Sequence, residues 1–395
     1  MSAIIEVPGP GANVAVLRKE RGWGQDRLAA AAGISKSLLG KIERGERALT
    51  QGVAASLARA LGLSLEAVLG TAPVQREAEA RLRALNGAVR RFDLPREPEM
   101  TEAELRAALD RMVGLRGSAD LRGVLDGLPG LVSAATNHAH AVGTPEAWAM
   151  VAEAYSTVYW LAARHRWMIL ADLAVTKQKL AAQQADPLTL AIAARDEAGV
   201  HLNHGDFEDG LAVVERGLVQ VEQTAVSGPD RAYALGILHL RGLTLAGRLR
   251  DRATADQHIA RAWQLSSEFD RDVNRLGIHF GPQNTAVHAV ATFADLGRHQ
   301  RAIDTVADLE RLRRQRGLVL PETRTSPLHM NAARSRLALD DRDGALEELE
   351  TAWSIAPQMA RVHPTAQELL RVLTSLHKRS NPRLTRLARQ ANVPF

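Results

Sequence analysis

The sequence contains no cysteine. A disulfide framework, a cysteine-based zinc site and a thiol nucleophile are therefore excluded. Aromatics are nearly as scarce, at 4% of 395 residues, while 46% of the chain is hydrophobic. The core must then be mostly Ala, Leu and Val, which suits helices packed closely on helices. No run of 18 or more apolar residues exists, so no membrane span is expected. The opening residues lack a basic stretch followed by an apolar one, so they do not read as a signal peptide. A cytoplasmic protein is the expectation. Catalytic signatures are missing too: no phosphate-binding Gly-rich loop, no HExxH, no GxSxG. No enzyme activity, cofactor or metal is expected. His201 and His204 stand three apart but lack a third ligand nearby, and His138 and His140 are weaker still.

Lysine is rare as well. Three of the six lysines fall before residue 42. Between Asn13 and Leu69 nine Lys/Arg face five acids, a net of +4 in a chain whose total is +5. Positive charge gathered on one small segment points to a polyanion partner.

Gly and Pro cluster in residues 1–12, read as a flexible arm. Five short helices are expected next, near Val14–Arg21, Gln25–Ala32, Lys36–Arg44, Gln51–Leu61 and Leu65–Leu69. Ser35, Thr50 and Ser64 sit at N-cap positions, and Gly33, Gly45 and Gly62 where helices stop. Residues 13–70 form one domain in this reading. Residues 71–100 are a linker containing a charged amphipathic helix, broken at "DLPREPEM". Residues 101–395 alternate amphipathic helices with short Gly, Asp or Pro breaks, and no period-2 strand pattern is seen.

The long C-terminal part repeats. "GDFEDGLAVVERGL", "RDRATADQHIARAW", "GRHQRAIDTVADLE" and "DDRDGALEELETAW" align on Gly210, Ala255, Ala302 and Ala345. An aliphatic follows four residues later in each: Val214, Ile259, Val306 and Leu349. A fainter copy places Ala171 and Val175 likewise. This spacing suggests one helical hairpin per repeat. The pattern resembles a degenerate tetratricopeptide repeat, with Gly205, Gly210, Gly217, Ala345, Ala352 and Pro357 at matching places.

The basic segment has its own geometry. Counting from Gln25, position five is Ala29, where two helices cross and only a small side chain fits. Position nine is Gly33, where a turn needs positive φ. Positions fifteen and eighteen are Leu39 and Ile42, facing a core with Leu28, Leu57 and Leu61. That is a helix-turn-helix, whose second helix is free on its other side to enter a major groove.

"LRKERGWGQDRLAAAAGISKSLLGKIERGER" resembles the Cro and phage-repressor family of the xenobiotic-response-element type. The resemblance implies roles. Gln25 would donate to a DNA phosphate at a helix N-terminus. Ser35, Lys36, Ser37 and Lys41 would form the reading face, and Arg44 and Arg47 would clamp phosphates. Glu43 reads as a structural partner. Gly40, unusual in such a helix, either allows close DNA approach or is simply tolerated.

"EAYSTVYWLAARHRW" gathers Tyr155, Tyr159, Trp160 and Trp167, which are either core or an effector lining. "IHFGPQNTAVH" resembles an "FGP.N" element of bacterial regulators that join this helix-turn-helix to degenerate tetratricopeptide repeats; Asn284 is either a turn cap or a concave-face group.

The expected protein is thus all-α, a five-helix helix-turn-helix domain followed by an α-helical-hairpin solenoid. It is expected to be a bacterial homodimeric transcriptional regulator, binding a double-stranded DNA operator and sensing a peptide or small-molecule effector. Dimerisation follows because one such domain makes too few contacts for tight specific binding. The alternative is an adaptor whose repeats bind a partner protein.

Overall fold

In the computed structural model, residues 10–61, 65–69, 76–376 and 381–391 are described here. The expected N-cap Ser64, the stop at Gly62 and residues 1–9 of the arm lie outside these. The N-terminal domain packs α1 (Pro10–Glu20), α2 (Gln25–Ala31), α3 (Lys36–Glu43), α4 (Gln51–Leu61) and α5 (Leu65–Leu69). α1 begins at Pro10, so the end of the expected arm is helical; proline is favoured in a first turn, where its missing N–H costs nothing. Ser35 caps α3, its Oγ accepting from Leu38 N at 3.1 Å. Thr50 does the same for Val53 N at 3.3 Å. Gly33 and Gly45 both hold positive φ, +65° and +74°.

Each repeat copy is the second helix of a hairpin. The five hairpins are α9/α10 (Pro145–His165, Met168–Ala182), α11/α12 (Pro187–His204, Phe207–Glu222), α13/α14 (Gly228–Leu249, Arg252–Ser266), α15/α16 (Pro282–Asp295, His299–Arg316) and α17/α18 (Glu322–Ala338, Arg342–Ile355). Their small residues are close-contact points. A Cβ on Gly210 would lie 2.6 Å from Leu245 of the next hairpin. One on Gly217 would lie 3.2 Å from both Ala194 and Leu238. α12 is thus wedged between its own partner and its successor, and only small side chains leave room.

Ahead of the hairpins come α6 (Arg76–Arg90), α7 (Glu102–Gly117) and α8 (Leu121–Val142). Leu85, Ala88, Val89 and Phe92 of the expected linker are buried with α8 and α9. The apolar face of α6 is therefore core-forming. After the hairpins come α19 (Pro357–Val362), α20 (Pro364–Leu376) and α21 (Pro382–Ala391).

Two features depart from expectation. A short antiparallel hairpin, β1 (Val273–Arg275) and β2 (Ile278–Phe280), precedes α15. Three-residue strands are too short to show an alternation. Their turn, Leu276–Gly277, takes positive φ at both positions, as a tight hairpin requires. Tyr233 donates to Ile278 O at 2.7 Å, tying the hairpin to α13. The second departure is closure. α19 packs on α9 and α17 on α7, so the last helices return to the first. Gln358 locks the return, donating to Asp120 at 3.0 Å and accepting from Arg122 N at 3.0 Å. These contacts join the two ends of the helical array.

The helix-turn-helix domain sits directly on the repeats. Its core is continuous with that of the middle hairpins. Leu49 N donates to the buried Glu368 of α20 at 3.1 Å. A Cβ on Gly52 would stand 2.7 Å from the Arg248 carbonyl of α13.

Candidate nucleic-acid interface and interior cavity

Leu28, Leu39, Ile42, Leu57 and Leu61 are fully buried, and Ala29 is 3% exposed at the α2–α3 crossing. That core leaves the opposite side of α3 in solvent. Ser35, Lys36, Ser37 and Lys41 are exposed there, with Arg44 and Arg47 exposed just beyond. The fold thus presents one basic, polar helix face of the size a major groove admits.

A buried ion pair fixes the angle of that helix. Arg18 of α1 donates to both Glu43 oxygens at 2.7 and 2.9 Å, and to Trp23 O at 2.7 Å. Gln25 adds a third bond to Glu43 at 2.7 Å. Burial opposes the Glu43 charge, but the hydrogen bonds from Arg18 and Gln25 outweigh it and hold the carboxyl below its ordinary range. The Gln25 amide, expected to meet a phosphate, is engaged with Glu43 in this structure. Gly40 lies under the same cluster: its Cβ would meet the Arg44 guanidinium at 3.1 Å. Its open side is occupied by side chains of its own domain.

The exposed cations are lightly held. Lys36 pairs with Asp26 at 2.9 Å and Arg44 with Glu46 at 2.7 Å. Both pairs are well exposed, where solvent screens the attraction, so DNA could displace them. Lys41 has no ion pair among the described residues. Arg47 lines a cleft of about 600 Å³ between this domain and the repeats, opposite Asp295 and His299.

The five aromatic and amide groups read as an effector lining do not come together. Tyr159 and Trp160 line an interior cavity of about 260 Å³. Tyr155 is core: it is fully buried, stands edge-on to Phe92 at 5.6 Å and donates to Val89 O. Of the two readings of this cluster, core holds for Tyr155, which faces Val89 of α6. Trp167 caps α10 and stacks flat on His165 at 4.3 Å, away from the cavity. Asn284 is neither the cap, which is Gly281, nor a lining group; it is buried in the first turn of α15. Its side chain donates to His279 O at 2.7 Å, and its N–H donates to Asp272 at 2.8 Å.

The sequence reading missed the cavity's main feature, its arginines. Arg116, Arg164, Arg195, Arg241 and Arg324 line it, with Asp196 as the acid among the lining groups. They come from α7, α9, α11, α13 and α17, so the first helix of nearly every hairpin contributes one. The chain has 44 arginines, and these five carry no local mark that separates them from surface ones. His204, by contrast, bonds Asp172 at 2.8 Å, and His140 bonds Phe92 O at 2.8 Å. Among the described residues no group of three or more metal-ligating side chains occurs, and no helix is long and apolar enough to cross a membrane.

Residues 14–68 match the model of a helix-turn-helix family, so the N-terminal domain belongs to that family. No curated protein matches the chain. Among solved structures it is similar to PrgX in complex with iCF10, at 11% identity and a TM-score of 0.27, covering 98% of each chain. A structure of PrgX alone gives 11% and 0.27, covering 97% of this chain and 98% of that one. The PrgX complex with cCF10 gives 11% and 0.26, covering 92% and 99%.

Proposed function

We propose that this protein is a sequence-specific DNA-binding transcriptional regulator, not an enzyme, whose helical-repeat domain senses an effector. The observation that carries it is the exposed face of α3, built on a helix-turn-helix frame and bearing Lys36, Ser37 and Lys41. Those side chains can read base edges, while Arg44 and Arg47 hold phosphates and set the register. Residues 13–70 bind DNA and residues 101–395 carry sensing and dimerisation. Two copies then span paired half-sites about 34 Å apart or a multiple of that.

Coupling has a short path. Gln51, the first residue of α4, lines the interior cavity, as does Arg248, whose carbonyl touches Gly52. A ligand that prefers one packing of α4 on α13 shifts the pose of the reading helix.

The test is operator selection with the purified full chain. The expected result is a selected sequence with two-fold symmetry, bound as a dimer, whose affinity falls linearly with log salt. A chain that remains monomeric on DNA overturns the dimer. No sequence preference above random DNA overturns the regulator and favours an adaptor.

A further inference from the structure

From the arginine lining of the interior cavity we infer that the effector is a compact, multiply charged phosphorylated metabolite. The binding site stands on the cavity alone; its effect on DNA rests on the regulator reading above.

Charge comes first. Five guanidinium groups converge on one small space, and Asp196 is already engaged by Arg195, Ser156 and Gln178. Arg248 and Arg166 stand at the same lining, held by Asp295 and Asn203 respectively. Interior cations normally carry matching anions, because desolvation is costly. Here Asp196 is the one acid at the lining, with Glu153 and Asp272 acting on Arg116 and Arg324 from outside it, so five cations meet fewer anions. Burial pushes Arg324 down to about 9, with Arg195, Arg116 and Arg241 adding to the shift. Burial likewise lowers Arg116 to about 10 despite Asp196 and Glu153. Both remain cationic at neutral pH. His288 and His363, also at the cavity, are held neutral by burial, with Arg324, Arg195 and Arg241 adding to it at His288 and Arg164, Arg248 and Arg334 at His363.

Unused donors come second. Arg116 is 4% exposed, yet its Nε has no partner among the described residues. Arg324 Nε and Thr323 Oγ1, both at the lining, are also unpartnered. A guanidinium offers five donors in a planar fork that matches phosphate oxygens two at a time.

The groups are also held in place. Trp160 carries Arg164 at 4.0 Å and Arg116 at 5.5 Å on its ring. Gly199 has no Cβ because one would meet the Tyr159 hydroxyl at 2.1 Å and Arg241 at 2.9 Å. The glycine therefore lets a cation and a hydroxyl sit against α11.

Size decides the class. About 260 Å³ is below the usual range for drug-sized ligands, roughly 300–1,000 Å³. Several negative charges in so small a volume describe a pyrophosphate or bisphosphate, not a peptide.

The experiment uses the full chain and inorganic pyrophosphate as probe. Thermal unfolding is followed across millimolar pyrophosphate, against NaCl at matched ionic strength. The expected result is a concentration-dependent rise of about 3 °C or more beyond the NaCl control. Arg324→Gln is expected to abolish that rise and still to fold without anion, because it relieves repulsion from Arg195, Arg116 and Arg241, while Asp272, the acid it acts on, keeps its bonds from Gln283 N and Asn284 N. Lys41→Ala, on the DNA face, is expected to keep the rise. Wild type that responds no more than to NaCl overturns the site. A rise kept in Arg324→Gln, or lost in Lys41→Ala, places the anion elsewhere and also overturns it. A response to a glutamate oligopeptide but not to pyrophosphate overturns the phosphate assignment. Operator binding, measured separately, fails or survives independently of these outcomes.

Discussion

Glu43 shows how a single residue aims a helix. It lies on α3 but faces away from the reading side, and its partners Arg18 and Gln25 lie on α1 and at the start of α2. Removing one member of a buried pair strands the other, at a cost of about 3–5 kcal/mol. Glu43→Ala should therefore lower stability by that order in denaturant titration and weaken DNA binding, although it touches no DNA. Full stability in that variant would show that the pair is incidental. Lys41 and Arg44 are opposites of Glu43: both are exposed, and Arg44 is held only by its surface pair with Glu46. Lys41→Ala should weaken operator binding by about 1–3 kcal/mol and relax preference at one base position. Arg44→Ala should weaken all sequences alike and flatten the salt dependence, as measured by binding titrations across salt. Equal losses on operator and random DNA for Lys41→Ala would make it a phosphate contact.

At the scale of elements, glycines decide which helices meet. α4 presses on α13 through Gly52, whose Cβ would sit 2.7 Å from a backbone carbonyl. Neither backbone can yield without moving its helix. Gly52→Ala should cost about 1–3 kcal/mol, as overpacking does, with faster hydrogen exchange in α4 and around Arg248. Unchanged exchange there would mean the two domains do not bear on each other. Gly236 plays the same part for the β-hairpin, since a Cβ there would enter the Phe280 ring at 2.1 Å. The hairpin in turn places Asp272 and His279 to hold Asn284 at the start of α15.

The whole molecule carries many buried histidines. Burial lowers His165, His239, His258 and His279 to about 4, and His363 to about 3. His239 and His258 also meet ring nitrogen to ring nitrogen at 2.9 Å, which one shared proton satisfies and two would break. Unfolded histidines titrate near 6.5. Between pH 6.5 and 4 the unfolded chain therefore binds more protons, and stability falls as pH falls. Three acids oppose this: burial raises Glu153 to about 7 and also raises Asp272 and Glu368, so their folded forms gain protons over part of the same window. Five histidines outweigh these three, and the melting temperature should drop from pH 6.5 to 4. A flat or rising profile over that range would contradict the buried neutral histidines.

What the sequence determined by itself is what depends on neighbours along the chain. The boundaries of α2, α3 and α4 follow from caps, turn glycines and a 3.6-residue apolar period, all readable within about ten residues. The small residues Gly210, Ala255, Ala302 and Ala345 mark the second helix of each hairpin for the same reason: their spacing is a property of one helix face. Tertiary structure alone decided the rest. Tyr155 and Tyr159 are one turn apart, yet one is sealed under Phe92 and the other lines the cavity, because α9 passes between two layers. Arg116 and Arg324 stand more than two hundred residues apart and share that cavity because α17 packs on α7. Burial, convergence of charge and closure are relations between distant segments, and no local pattern encodes where such segments meet.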